Sequence, residues 1–159
     1  HIYFSAPISN HSSVIYKNKM YLYGGSVGLS SNSVFYALDL TKLIWETVRT
    51  KPYKNIENNN PASRDEHTAI LHDEQMVVFG GFVDGERVNQ TYKFIFKTGE
   101  WKLVSSQSED MPSPRAGHSA SLYISEETGE PYMYIFGGKD QQNLKLNDMW
   151  RLSLTRDVW

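Results

Sequence analysis

The stretch Tyr134-Ile135-Phe136-Gly137-Gly138, followed by Trp150 and then Trp159, decides the fold, because its parts recur twice upstream at matching distances. Gly24-Gly25 closes the run Met20-Tyr21-Leu22-Tyr23, and Gly80-Gly81 closes Met76-Val77-Val78-Phe79. The second glycines, Gly25, Gly81 and Gly138, lie 56 and 57 residues apart. A tryptophan follows each by 20 or 21 residues (Trp45, Trp101, Trp159), and another large aromatic stands nine residues before it (Tyr36, Tyr92, Trp150). His11 and His67 precede their first glycine by 13 residues; His118 does so by 19, since residues 125–130 read as a hairpin insertion. Five features in three copies at fixed spacing mark stacked repeat units, none of which can bury its apolar face alone.

Each unit reads as four short strands. In the second they are expected over residues 66–72, 75–79, 91–96 and 100–104, with Asp73-Glu74 and Lys97-Thr98-Gly99 as turns between β-branched and aromatic runs. No stretch carries a helical period over 11 or more residues, so the chain is all-β, with repeats at about 5–49, 61–105 and 112–159. The glycine pairs have a physical reason. A residue without Cβ takes φ > 0 and lets neighbouring backbone approach where an inner strand ends. The tryptophans open the outermost strands, where a large flat side chain fills the gap between twisted sheets. Both motifs therefore read as architecture.

The pattern resembles the kelch repeat. The third unit carries it most fully, as Arg115-Ala116-Gly117-His118, the glycines, Leu146-Asn147-Asp148-Met149-Trp150 and Trp159; the second has Arg64-Asp65-Glu66-His67 and Asn89-Gln90-Thr91-Tyr92. The first has Ile8 in place of the arginine, so its polar contact between blades is expected to differ. The resemblance implies three four-stranded antiparallel blades of a β-propeller, about half of a six-bladed ring. It also implies that the blades belong to a protein-binding scaffold or adaptor, in some relatives joined to a ubiquitin-ligase adaptor module or a Ser/Thr phosphatase domain. Residues 1–4 (His1-Ile2-Tyr3-Phe4) align with Trp101-Lys102-Leu103-Val104 and offer an outer strand for a closing blade. Two arrangements complete the ring: further blades of a longer chain, which a chain opening on His1 and ending on Trp159 favours, or a second copy assembled head to tail.

Composition bounds the function. Hydrophobic residues make up 40% of the chain and aromatics 13%, which supports a packed core over disorder. A net charge of −2 with scattered Lys and Arg gives no field for nucleic acid or anionic lipid, and no apolar run reaches the length of a membrane helix. Cysteine is absent, which removes thiolate metal sites and disulfides and fits a reducing, cytoplasmic setting. The triplets Asn10-His11-Ser12 and Asn89-Gln90-Thr91 point weakly the other way. His11, His67 and His118 fall in different units, so no metal site is expected from them. The copper oxidases of kelch-like architecture use a cysteine-crosslinked tyrosine, which this chain cannot form; the iron-binding run Glu-x3-Asp-x3-His has no match. No nucleophile elbow, phosphate loop or dinucleotide fingerprint appears, and Glu126-Glu127 and Asp73-Glu74 sit in expected turns. Arg64 and Arg115 are expected to bind backbone carbonyls or neighbouring acids, with capture of a ligand carboxylate as the other option. No cofactor and no catalytic residue are assigned.

Recognition is expected on loops. Residues 26–33, 82–89 and 139–146 join second to third strands and, as the resemblance implies, crowd one face of the ring. The candidate partner-binding residues are Phe82, Asp84, Glu86, Arg87, Lys139, Asp140, Gln141 and Gln142, a mixed polar surface around an aromatic anchor that suits a protein or peptide. Residues 51–61, with Asn55-Ile56-Glu57-Asn58-Asn59-Asn60, are expected to be a polar, mobile link. The alternative function is a propeller enzyme or small-molecule binder with its site at the ring axis.

Overall fold

A computed structural model describes residues 7–105 and 110–159. The proposed closing strand at residues 1–4 lies outside them. The first sheet holds β1 (Ser9–Tyr16), β2 (Lys19–Val27), β4 (Tyr36–Asp39) and β5 (Ile44–Thr47) in chain order, with the short β3 (Ser30–Ser31) folded back on the end of β2. The second holds β7 (Thr68–His72), β8 (Gln75–Phe79), β11 (Thr91–Ile95) and β12 (Glu100–Leu103), again antiparallel and in order. A separate hairpin, β9 (Phe82–Val83) and β10 (Glu86–Arg87), projects between β8 and β11. The third sheet holds β13 (Ser119–Ile124), β14 (Pro131–Phe136) and β15 (Met149–Ser153). The sheets stand as blades with β1, β7 and β13 side by side, and they do not close into a ring.

Three expectations need correction. The third blade has three strands among the described residues rather than four, because the turn after β15 leaves only the isolated bridge Ser153–Val158 before Trp159. The first strand of the second blade starts at Thr68, not residue 66; Glu66 takes φ 53° and gives its N–H to the Asn10 carbonyl of the first blade. Residues 51–61 are built into the fold. β6 (Lys51–Pro52) pairs parallel with β12, and two 3-10 turns follow, Tyr53–Asn55 and Glu57–Asn59. Asn59 is buried; its amide donates to the Tyr53 carbonyl (2.9 Å) and its Oδ1 accepts from Leu103 N–H (2.8 Å), which satisfies donors that an edge strand would leave bare. The insertion at residues 125–130 does form a turn, with Ser125 N–H on the Glu130 carbonyl.

The core lies between blades. Blades 1 and 2 close on Tyr23, Phe35, Phe94 and Trp101, whose rings meet edge-on or tilted at 4.8–5.8 Å between centroids. Blades 2 and 3 close on Ile70, Val77, Phe79, Met133, Ile135 and Leu152, with Trp159 against Phe79. Strand alternation makes this possible. Met76 and Val78 face blade 1 while Val77 and Phe79, one residue along, face blade 3.

Candidate functional site

The paired glycines, the histidines and the arginines assemble one device, used at both junctions. Gly25 N–H donates to the Arg64 carbonyl of the next blade, and Gly81 N–H donates to the Arg115 carbonyl, each at 2.9 Å. The preceding glycines make room for that approach: a Cβ on Gly24 would stand 2.3 Å from the Arg64 oxygen, and one on Gly80 2.8 Å from the Arg115 oxygen. All six glycines, Gly137 and Gly138 included, take φ between 65° and 101°, where only glycine sits without strain. The histidine then reaches back across the junction. His67 Nε2 pairs with Ser12 Oγ at 2.7 Å and stacks its edge on Tyr23; His118 Nε2 pairs with Thr68 Oγ1 at 2.8 Å and meets Phe79 in the same way. The tryptophan covers the same aromatic, Trp101 on Tyr23 and Trp159 on Phe79, each at 4.8 Å.

Both arginines are fully buried, which settles the two readings of them: they bind the protein itself and have no access to a ligand. Arg64 donates to the carbonyls of Ala62 and Gly80 and to Gln90 Oε1, and lies over the Tyr92 ring at 5.0 Å. Arg115 donates to the Ser113 and Gly137 carbonyls and grips Asp148 with both terminal nitrogens at 2.8 Å. Those bonds, with a further one from Trp150 Nε1, hold the Asp148 carboxyl down to about 2. Burial, reinforced by the arginines, lowers the pKa of His67 to about 3 and that of His118 to about 4, so both are neutral at physiological pH. Among the described residues, no three His, Asp or Glu side chains converge as metal ligands.

The three loops that carry the candidate residues fold back on themselves. β2 turns through Gly28 and Leu29 into β3, β9 turns through Asp84 and Gly85 into β10, and residues 139–146 curl around the bridge Lys139–Lys145. The first and second border one cleft, with Leu29, Ser30 and Ser31 on one side and Phe82, Asp84 and Gly85 on the other, so the loops share a rim. Arg87 links the second to the third: its backbone N–H donates to Gln141 Oε1 and its Nη2 to Asn143 Oδ1, both at 2.7 Å, while its guanidinium covers the Phe82 ring. Asp140 caps its own loop through the N–H groups of Gln142 and Leu144. Of the eight candidate residues, Phe82, Arg87, Asp140 and Gln141 thus shape the rim, whereas Asp84, Glu86, Lys139 and Gln142 project from it as exposed side chains.

Two residues outside the candidate set join that surface. Leu29 stands fully exposed at the first hairpin tip, and Leu144 is 63% exposed in the third loop. Two clefts flank the β9–β10 hairpin. One, of about 710 Å³, has Tyr92, Val88 and Leu103 in its wall and Glu57, Asp84 and Glu86 around it. The other, of about 460 Å³, runs from Leu29 to Phe82 past Asp65 and Asp84. Neither is lined by Lys or Arg, and burial and neighbouring Glu66 raise the Asp65 carboxyl above its ordinary value. Isolated apolar tips carry no sequence pattern, which is why Leu29 and Leu144 escaped detection.

The comparisons agree with this architecture. Residues 4–159 match the KLHDC2/KLHL20/DRC7 Kelch-repeats domain. Host cell factor 2 from Homo sapiens is 27% identical over 94% of this chain and 20% of its own length. The leucine-zipper-like transcriptional regulator 1 homolog of Drosophila melanogaster is 30% identical over 92% of the chain and 14% of its own length. Kelch domain-containing protein 3 of Bos taurus is 30% identical over 94% of the chain and 39% of its own length. The chain therefore spans less than half the length of these relatives, and it belongs to the kelch-repeat family.

Proposed function

We propose that this chain is the blade portion of a protein-interaction scaffold and that it captures its partner on the rim built by the β2–β3 hairpin, the β9–β10 hairpin and residues 139–146. Kelch-repeat domains are generally protein-interaction modules, and the observation that carries the finer reading is the linked rim itself. Arg87 braces the β9–β10 hairpin against residues 139–146, while Leu29, Asp84, Glu86, Gln142 and Leu144 remain exposed. A preformed surface loses little conformational entropy on binding. Apolar tips beside carboxylate-lined clefts suit a partner segment that offers an aliphatic or aromatic side chain next to a lysine or arginine. The absence of cysteine supports a cytoplasmic setting for this encounter.

The test is double charge reversal, Asp84→Arg with Glu86→Arg, in quantitative affinity purification against the unaltered chain. Both side chains are exposed, so the melting temperature should hold within about 2 °C. Partner recovery should fall at least tenfold. Undiminished recovery by a folded variant would remove the rim from the binding surface.

A further inference from the structure

Residues 60–65, which carry the chain from the link into blade 2, form the shared wall of three depressions beside the rim. Asn60 and Ala62 line the cleft of about 710 Å³, and Ser63 and Asp65 line the cleft of about 460 Å³. Asn60, Pro61 and Ser63 also line a third depression, of about 210 Å³, at the junction of blades 1 and 2. Its floor is aromatic: Tyr23, Phe35 and Trp101, all buried, with Val34 and Val48 beside them. Its mouth is polar, formed by the exposed residues Ser33, Thr50 and Asn60. That volume holds a single side chain and falls below the roughly 300 Å³ at which pockets begin to enclose a whole small-molecule ligand.

The backbone of the shared wall is itself unfinished. The Arg64 carbonyl accepts from Gly25 N–H, and Asp65 exchanges both of its backbone bonds with Phe82. Just before them, the N–H groups of Ala62, Ser63 and Arg64 and the Ser63 carbonyl have no backbone partner among the described residues. In the same stretch the buried Tyr23 hydroxyl reaches the Ala62 carbonyl only at 3.5 Å, a long hydrogen bond. Open backbone groups along an untwined stretch are what an incoming extended segment pairs with. Charge completes the pattern. Glu57, Asp84 and Glu86 border the largest cleft, and no Lys or Arg lines any of the three depressions.

We propose, resting on the reading of this face as the capture surface, that the partner is held through one short extended segment laid across residues 60–65. An aliphatic side chain of that segment enters the smallest depression against Tyr23, Phe35 and Trp101. A lysine or arginine beside it in the segment enters the largest cleft next to Glu57. Asn60 borders both sites, so the two side chains belong within about three residues of each other, some 10 Å of extended chain.

A phage library of random dodecapeptides panned against this chain supplies the probes, and fluorescence polarisation of the enriched peptides measures their affinity. The enriched sequences should pair an aliphatic residue with a lysine or arginine within about three positions. Ser33→Trp and Thr50→Trp each place a large ring at the mouth of the smallest depression from an exposed position. Each should weaken the peptides at least tenfold while leaving the circular dichroism unchanged. Glu57→Lys should weaken them at least fivefold and should not weaken versions in which serine replaces the basic residue. An empty selection, a consensus without the pair, peptides indifferent to both tryptophan variants, or equal loss from Glu57→Lys in the serine versions overturns the proposal. Its failure is distinct from failure of the rim. Partner recovery that survives both tryptophan substitutions but not Asp84→Arg with Glu86→Arg overturns the extended segment and keeps the rim.

Discussion

Between blades 1 and 2, the buried Arg64 guanidinium meets an amide, Gln90, at 3.3 Å; between blades 2 and 3, its counterpart Arg115 meets a carboxylate, Asp148, twice at 2.8 Å. Each arginine fixes the backbone segment whose carbonyl crosses to the preceding blade, so the two junctions share one backbone contact and differ in what steadies it. The first junction compensates through aromatic mass. Three rings, those of Tyr23, Phe35 and Phe94, surround Trp101, whereas the second junction relies on aliphatic side chains and on the buried Lys93, which bonds the Leu154 carbonyl and Asp157. A repeat can therefore keep its geometry while exchanging ionic for apolar stabilisation, as long as the glycines and the histidine stay in place.

The comparison is broken most strongly at the tryptophans. Trp101→Ala should destabilise the chain by about 4 kcal/mol, the usual range for emptying a fully buried aromatic site. Trp159→Ala should destabilise it by about half as much, because Trp159 is only half-buried. Urea unfolding of the two variants measures the difference; equal losses would contradict the assignment of the aromatic junction as the stronger apolar one.

Acid should act on both junctions through the histidines. Their folded pKa values, about 3 and about 4, lie below the unfolded value near 6.5, so between those limits the unfolded chain binds protons that the folded chain refuses. Stability should be flat above pH 6.5 and fall as pH drops below it, by roughly 2 kcal/mol per histidine at pH 5. Asp148 adds its own loss only below about 3.8, as protonation releases Arg115. Urea titrations from pH 8 to 4 should show this slope, and His67→Gln with His118→Gln should flatten it. A slope unchanged in the double variant would place the acid sensitivity elsewhere.

The finest test exchanges the arginine partners. Asp148→Asn should destabilise the chain by about 2 kcal/mol, less than the 3–5 kcal/mol of a fully buried pair, since the Asp148 side chain is 41% exposed. Gln90→Asp should stabilise it by about 1 kcal/mol, giving Arg64 the counter-charge that Arg115 has. Thermal melts that show a loss from Gln90→Asp would mean that Arg64 is better served by the amide.

Much of this was legible in the chain. Glycine pairs, histidines and tryptophans at fixed spacing located the blades and their junctions, because each residue type does there what its chemistry does anywhere: no Cβ, a buried neutral ring nitrogen, a large flat surface. The arginine difference was also present, since Gln90-Thr91-Tyr92 aligns with Asp148-Met149-Trp150. Other features depended on contacts distant in sequence. Asn59 ties its link to the second blade because Leu103, distant in sequence, offers an N–H, and the two-residue ladders of β9 and β10 are too short for an alternating pattern. Exposure of Leu29 likewise follows from the hairpin that carries it, not from its neighbours in the chain.

Site-specific photocrosslinking tests the rim most directly. A benzoylphenylalanine at Glu86, on the hairpin side of blade 2, is compared with one at Thr98, in the turn between β11 and β12. The account predicts that a partner protein is crosslinked from position 86 and not from position 98. Crosslinking from position 98 alone would contradict it and move the binding surface to the opposite edge of the blades.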